Sequence, residues 1–156
     1  MMTIPRNGIS LALVTLFTGA AVQAMKVVVG TIQDFKKNRQ FSLGKNLQRI
    51  TEPGGMPSSH SASVTTLFLL TGFWFGFKSP FFGIALFFGL IVIYDAAGVR
   101  RAVGKQATLL NIIIEEFEIT GHPKSGRFRE LIGHTPFEVF VGAIIGALLA
   151  IIFWRI

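Results

Sequence analysis

Two histidine-bearing segments stand where polar stretches meet apolar ones: Gly54-Gly55-Met56-Pro57-Ser58-Ser59-His60-Ser61-Ala62 and Gly133-His134-Thr135-Pro136-Phe137-Glu138. Each reads as a loop leading into a helix start. Free backbone amides point outward there and the helix dipole favours negative charge, so such a place attracts anions. Ser58 and Ser59 add hydroxyl donors, and His60 adds a titratable one. The structural alternative is a serine that only caps the helix, after glycines that only make a turn.

In the second segment Thr135 at the cap, Pro136 at the first helical position and Glu138 three residues after the cap compose a capping box. That explains those three residues and leaves His134, whose imidazole Glu138 is placed to orient through a hydrogen bond. Lys26, Arg100 and Arg101 complete the inventory. A lysine inside an apolar span needs an anionic partner or must snorkel to the interface. An arginine fork fits phosphate, and equally serves as a basic anchor at a membrane edge. Asp95 ends an apolar run and is expected to pair with a basic group in a supporting role. No second carboxylate clusters with it, so no metal site is expected. Glu115, Glu116 and Glu118 read as a solvated face.

These groups must be positioned by a chain of 156 residues, 51% of them hydrophobic and only 15% charged, with a mean hydropathy of +0.57. That composition is too apolar for an ordinary soluble domain. The net charge of +7 does not imply a nucleic-acid partner, because the basic residues flank apolar spans and form no aromatic-studded basic surface. The absence of cysteine removes disulfides and thiolate-bound metals from consideration.

The hydropathy pattern predicts an all-α, polytopic membrane bundle of about four transmembrane helices. The spans fall at about 9–32, 61–77, 81–97 and 136–154, with polar loops at 33–59 and 99–135, and the whole chain 1–156 is expected to form a single integral membrane domain. Residues 1–24 also resemble a secretory signal, but apolar character continues through Val27-Val28-Val29-Gly30 to Ile32, which favours a retained helix. The third span is expected to continue as helix from Asp95 to Glu118, ending at Gly121-His122-Pro123. Gly142 and Gly146 have a G-x-x-x-G spacing, which leaves open a homo-oligomer contact or close packing against another helix of the same chain. With four spans both polar loops share one side. They hold eleven of the fifteen Lys and Arg residues, against Arg6, Lys78 and Arg155 on the other. The positive-inside rule puts these loops in the cytoplasm, at the plasma membrane of a prokaryote.

Pro57-Ser58-Ser59-His60, then Tyr94-Asp95-Ala96-Ala97-Gly98-Val99-Arg100-Arg101, then Gly133-His134-Thr135-Pro136-Phe137-Glu138-Val139 resemble the divergent branch of the type 2 phosphatidic acid phosphatase superfamily. That branch is described as acid phosphatase/vanadium-dependent haloperoxidase-related. The resemblance runs from about residue 23 to 149. It implies His134 as nucleophile, Glu138 as its orienting carboxylate and His60 as general acid. It also implies Lys26 and Ser58 as phosphate-binding groups; Ser59, from its place at the same helix start, and Arg100 or Arg101, in place of the missing motif arginines, complete the expected phosphate-binding set. No cofactor is implied. The activity implied is hydrolysis of a lipid phosphate or isoprenoid diphosphate through a phosphohistidine, with membrane lipids as surroundings and a lipid phosphate as substrate. The alternative is a non-catalytic protein that binds an anionic lipid headgroup. Vanadate-dependent halide oxidation shares the superfamily's site and is the least favoured reading. Three features depart from the superfamily pattern. Gln33 and Asp34 stand where Arg-Pro is expected, Phe128 stands between Arg127 and Arg129 where an arginine is expected, and there are four spans in place of six.

Overall fold

In the computed structural model residues 4–36, 44, 55–119 and 134–156 are described, together with the backbone but not the side chains of 99–101 and 117–119. Among them are the helices α1 (Gly8–Lys36), α2 (Ser59–Phe75), α3 (Pro80–Ala97), α4 (Val99–Ile119) and α5 (Pro136–Arg155), and no strand. The chain is an all-α membrane bundle. Helix α1, helix α5 and the run Pro80–Glu116, which holds α3 and most of α4, are each long and apolar enough to cross a membrane. Helix α2 has 17 residues, the lower end of the transmembrane range. It is the central element, packed against α1, α3 and α5.

The distribution of side chains is that of a protein whose solvent is lipid. Ile84 and Phe87 on α3 are 69% and 68% exposed, whereas Thr18, Ser61 and Thr66 are fully buried. Hydrocarbon offers no penalty to an exposed phenylalanine, so the interior is chosen for close packing instead of for greasiness. The α2–α5 contact shows how. A side chain at Gly142 would strike the carbonyl oxygen of Ser58, and one at Gly146 would strike that of Ala62. Without side chains there, the two backbones come close enough for Thr66 Oγ1 to donate 2.8 Å to the Gly146 carbonyl. That bond contributes on the order of 1 kcal/mol or less, so packing carries most of the contact. The G-x-x-x-G spacing is therefore used inside the chain.

Helix boundaries follow local chemistry. Helix α2 ends at Gly76, whose φ of 92° suits a residue without Cβ. Ser79 then caps α3 by accepting from Phe82 N at 3.2 Å, with Pro80 in the first turn. The expected helix through Asp95 to Glu118 is divided at Gly98, which closes α3 through a bond to Tyr94 O, and α4 follows at once. The expected stop at Gly121-His122-Pro123 lies outside the described residues.

Aromatic contacts gather at one end of the bundle: Phe73 stacks on Trp154 at 4.8 Å, and the Arg155 guanidinium lies 5.1 Å from the Trp154 ring centroid. The starts of α2 and α5 and the ends of α1 and α3 lie at the other end, where both histidine segments are found.

Candidate active site at the polar end of the bundle

The second histidine segment folds as its residue types dictate. Thr135 Oγ1 accepts from Glu138 N at 3.3 Å, and Glu138 Oε2 accepts from Thr135 N at 2.9 Å, forming the capping box. The same Oε2 lies 3.4 Å from Nδ1 of His134, a residue only 4% exposed. The pair is close enough for charge to matter but not aligned for a hydrogen bond, so Nδ1 is buried without an aligned partner. One carboxylate thus fixes the helix start and faces the imidazole. With Nδ1 turned to Glu138, Nε2 is the nitrogen left for chemistry.

The first segment is fastened to the second. Ser58 N donates to the backbone oxygen of Glu138 at 3.3 Å, which sets the start of α2 against the first turn of α5. Ser58 itself is fully buried. Its Oγ accepts from Ser61 N at 3.4 Å and from Ser61 Oγ at 3.0 Å. A serine hydroxyl has two acceptor positions and one hydrogen, so this cap leaves the Ser58 hydrogen for an anion. Capping and anion binding are compatible at this residue. Ser59, expected as a second hydroxyl donor, is half-buried in the first turn of α2, and the hydroxyl found beside Ser58 is that of Ser61. That residue was legible as one turn beyond the cap on the same helix face.

Lys26 is 7% exposed and lies ten residues before the end of α1, about 15 Å along the axis. It does not extend along the lipid face. Its stem runs over Gly55, where an added Cβ would stand 3.0 Å from Cε of the lysine. Gly55, at φ 83°, makes the turn and leaves room for the chain of Lys26. His60 is exposed on the first turn of α2. Lys26 and His60 both act on His134 electrostatically, each opposing its protonation, so the three side chains share one neighbourhood.

Asp95 is half-buried in the last turn of α3, at this same end. Arg100 and Arg101 follow in the first turn of α4, and their side chains lie outside the described residues. So do Gly54, Gly133, Arg127, Phe128 and Arg129. Glu115 and Glu116 are exposed. Among the described residues no group of three His, Cys, Asp or Glu side chains is placed to hold a metal ion.

The pKa of His134 is lowered from its ordinary 6.5, first by burial and then by Lys26 and His60; Glu138 opposes the shift. A histidine with a lowered folded-state pKa is neutral where the unfolded chain is already protonated. Folding stability from this residue is therefore present above pH 6.5 and is lost as pH falls below 6.5 toward the folded-state value. Ring-nitrogen NMR of His134 should show a midpoint below 6.5. Glu138→Gln should move it lower still, and Lys26→Met should move it up. A midpoint at or above 6.5 in the wild type would mean that Glu138 outweighs burial.

The chain matches the family described as the divergent PAP2 family over residues 8–149, a range that takes in every described residue of this cluster. It is 38% identical over 126 residues to an uncharacterized membrane protein, YuiD, of Bacillus subtilis (strain 168), an alignment covering 72% of this chain and 80% of that protein. No solved structure matches the chain.

Proposed function

The chain belongs to the divergent PAP2 family, and we propose that it is a membrane phosphatase that hydrolyses a lipid phosphate or isoprenoid diphosphate through a phosphohistidine. The observation that carries this reading is His134: a buried imidazole, kept neutral by its surroundings, with Nδ1 facing a carboxylate and two cationic side chains close by. Neutral imidazole is the nucleophilic form. In the reaction Nε2 of His134 attacks phosphorus and the bond from phosphorus to the ester oxygen of a monophosphate, or to the bridging oxygen of a diphosphate, breaks. His60 gives its proton to that departing oxygen. Water then attacks the phosphohistidine, His60 takes the water's proton, and the nitrogen–phosphorus bond breaks to release phosphate and restore the imidazole. Lys26, the Ser58 hydroxyl and the amides at the α2 start oppose the charge on the phosphoryl oxygens. We assign Arg100 or Arg101 to the same task, and to Asp95 the support of these cations.

Phosphate release by the purified protein in detergent, measured over lipid phosphates and isoprenoid diphosphates, tests the reading. Release by the wild type well above that of His134→Ala is expected. Equal, background release on every substrate would favour the second reading, a protein that binds an anionic headgroup without hydrolysing it. Gln33 and Asp34, standing where the superfamily has Arg-Pro, are the observation on that side.

The protein is a membrane protein, and we place it in the plasma membrane of a prokaryote with the site on the cytoplasmic face, on the strength of the basic residues in the polar loops. The chain has no native cysteine, so single probes are unambiguous. In intact cells an impermeant thiol reagent should label Ser79→Cys and spare Asn46→Cys and Ser125→Cys. The reverse pattern would invert the orientation.

A further inference from the structure

Helix α3 has 18 residues, about 27 Å along its axis, close to the roughly 30 Å of a bilayer's hydrocarbon core. It spans that core by itself. Tyr94, the chain's single tyrosine, stands one turn before its end and is 74% exposed, and tyrosine is enriched where bilayer meets water. The membrane boundary therefore falls near the end of α3, and α4 starts at it. Helix α4 adds 21 residues, about 31 Å. Among the described helices it touches only α3. Its sides are covered in an unusual sense: Gly104 is buried and Thr108 and Asn111 are half-buried, whereas Val103, Leu109, Leu110 and Ile113 are exposed. Counted by helical steps, those four apolar residues fall within about a third of the circumference, with Gln106 among them, and Gly104, Thr108 and Asn111 lie on the opposite side. A helix bathed in water shows the reverse arrangement. The exposed Ile84 and Phe87 of α3 show the same one.

Two placements of α4 conflict with these side chains. In line with α3, the helix would carry its apolar strip out into water. Turned back into the core, it would take the exposed Lys105, Glu115 and Glu116 into hydrocarbon. Along the surface both groups are satisfied: the strip faces acyl chains, and Lys105 and Glu116, which flank one edge of it, reach the headgroups. Gly98 is the break at which the chain can leave the axis of α3. We propose that α4 is an interfacial helix, lying in the plane of the membrane with Val103, Leu109, Leu110 and Ile113 immersed in the lipid of the chain's own bilayer. Its partner is a lipid surface of either charge. Arg100, Arg101 and Lys105 are offset in the sequence of α4 by Glu115, Glu116 and Glu118, so apolar contact holds the helix and headgroup attraction adds little. The proposal stands whether or not the histidine site hydrolyses phosphate.

Spin labels on single cysteines test the placement in the full chain, which has no native cysteine to interfere. Val103→Cys, Leu110→Cys and Ile113→Cys put labels along the exposed strip over about 15 Å of helix, and Glu115→Cys puts one on the other side. Each variant is reconstituted in nanodiscs of phosphatidylcholine, with and without phosphatidylglycerol. Access is measured to oxygen, which concentrates in hydrocarbon, and to a nickel chelate, which stays in water. The three strip labels should meet oxygen more than the chelate and lie at one common depth, and the Glu115→Cys label should show the opposite preference, in both lipid mixtures. A steady rise in chelate access from Val103→Cys to Ile113→Cys would overturn the proposal in favour of a helix projecting into water. A steady fall would overturn it in favour of a helix re-entering the core. Strip labels shielded from both reagents, with spin–spin broadening relieved by dilution into unlabelled protein, would show a second copy in place of lipid. A common depth reached only with phosphatidylglycerol would show headgroup attraction in place of apolar contact, and would overturn the proposal as well.

Discussion

His134→Ala should abolish both the phosphoenzyme and turnover, with a loss of at least about a thousandfold in kcat on every substrate. The size follows from the role. Among the described residues the carboxylate beside the imidazole, Glu138, faces Nδ1 and is also held by the amide of Thr135, so it is not placed to take over the attack. Residual activity would come only from the cations and helix-start amides that polarise the phosphoryl group for direct attack by water. The measurement is acid-quenched trapping of phosphorus label on the protein, in parallel with phosphate release. The histidine is 4% exposed, so removing it opens a small cavity near the α5 cap. A folding control is therefore needed, and the capping box supplies it: Thr135 and Glu138 bond each other without His134, so the helix start should persist. A trapped phosphoenzyme in folded His134→Ala would mean that another residue attacks, and His60 would be the first to examine.

What the sequence made legible, and what it did not, follows from the range of each signal. The spans are long-range hydropathy patterns, and helices cover 9–32, 81–97 and 136–154, whereas α2 stops at Phe75, two residues short of the expected 77, because Gly76 caps it. Their ends depend on local chemistry: α1 runs on to Lys36 because nothing between Ile32 and Lys36 breaks a helix, membrane boundary or not. The capping box at Thr135 and Glu138 was legible because all its members lie within four residues. The break at Gly98 was not, since one glycine in an apolar run is a weak stop signal.

The partner of Gly142 and Gly146 was also beyond the sequence. Spacing states that something packs closely, and only tertiary structure shows it to be the backbone at Ser58 and Ala62. The same holds for Lys26. Its place in an apolar span allowed snorkelling, and its burial against Gly55 depends on where a loop some thirty residues later happens to turn. The hydrogen bond from Ser58 N to the Glu138 carbonyl joins the two histidine segments across eighty residues, a contact that no periodicity encodes. Residue types named the chemistry, and the close α2–α5 packing brought the groups together.

His60→Ala should separate substrates by their leaving groups. An alkoxide departing from an alkyl phosphate needs a proton in the transition state, and a positioned general acid contributes about a hundredfold to ten-thousandfold to such a step. An activated aryl phosphate, such as nitrophenyl phosphate, expels a stable anion and needs no proton. His60 is exposed on the first turn of α2 and opposes protonation of His134, so its own proton lies near the reacting centre and exchanges with water. In His60→Ala, turnover of the alkyl phosphate should fall by that factor, while the aryl phosphate keeps most of its rate of phosphoenzyme formation. Losing the His60 charge also removes one of the influences that lower the His134 pKa. The acid limb of the aryl reaction should accordingly move to higher pH, because His134 is then protonated more easily and loses its nucleophilic form earlier as pH falls. Equal losses on both substrates would assign His60 to phosphate binding, and no change on either would remove it from the site.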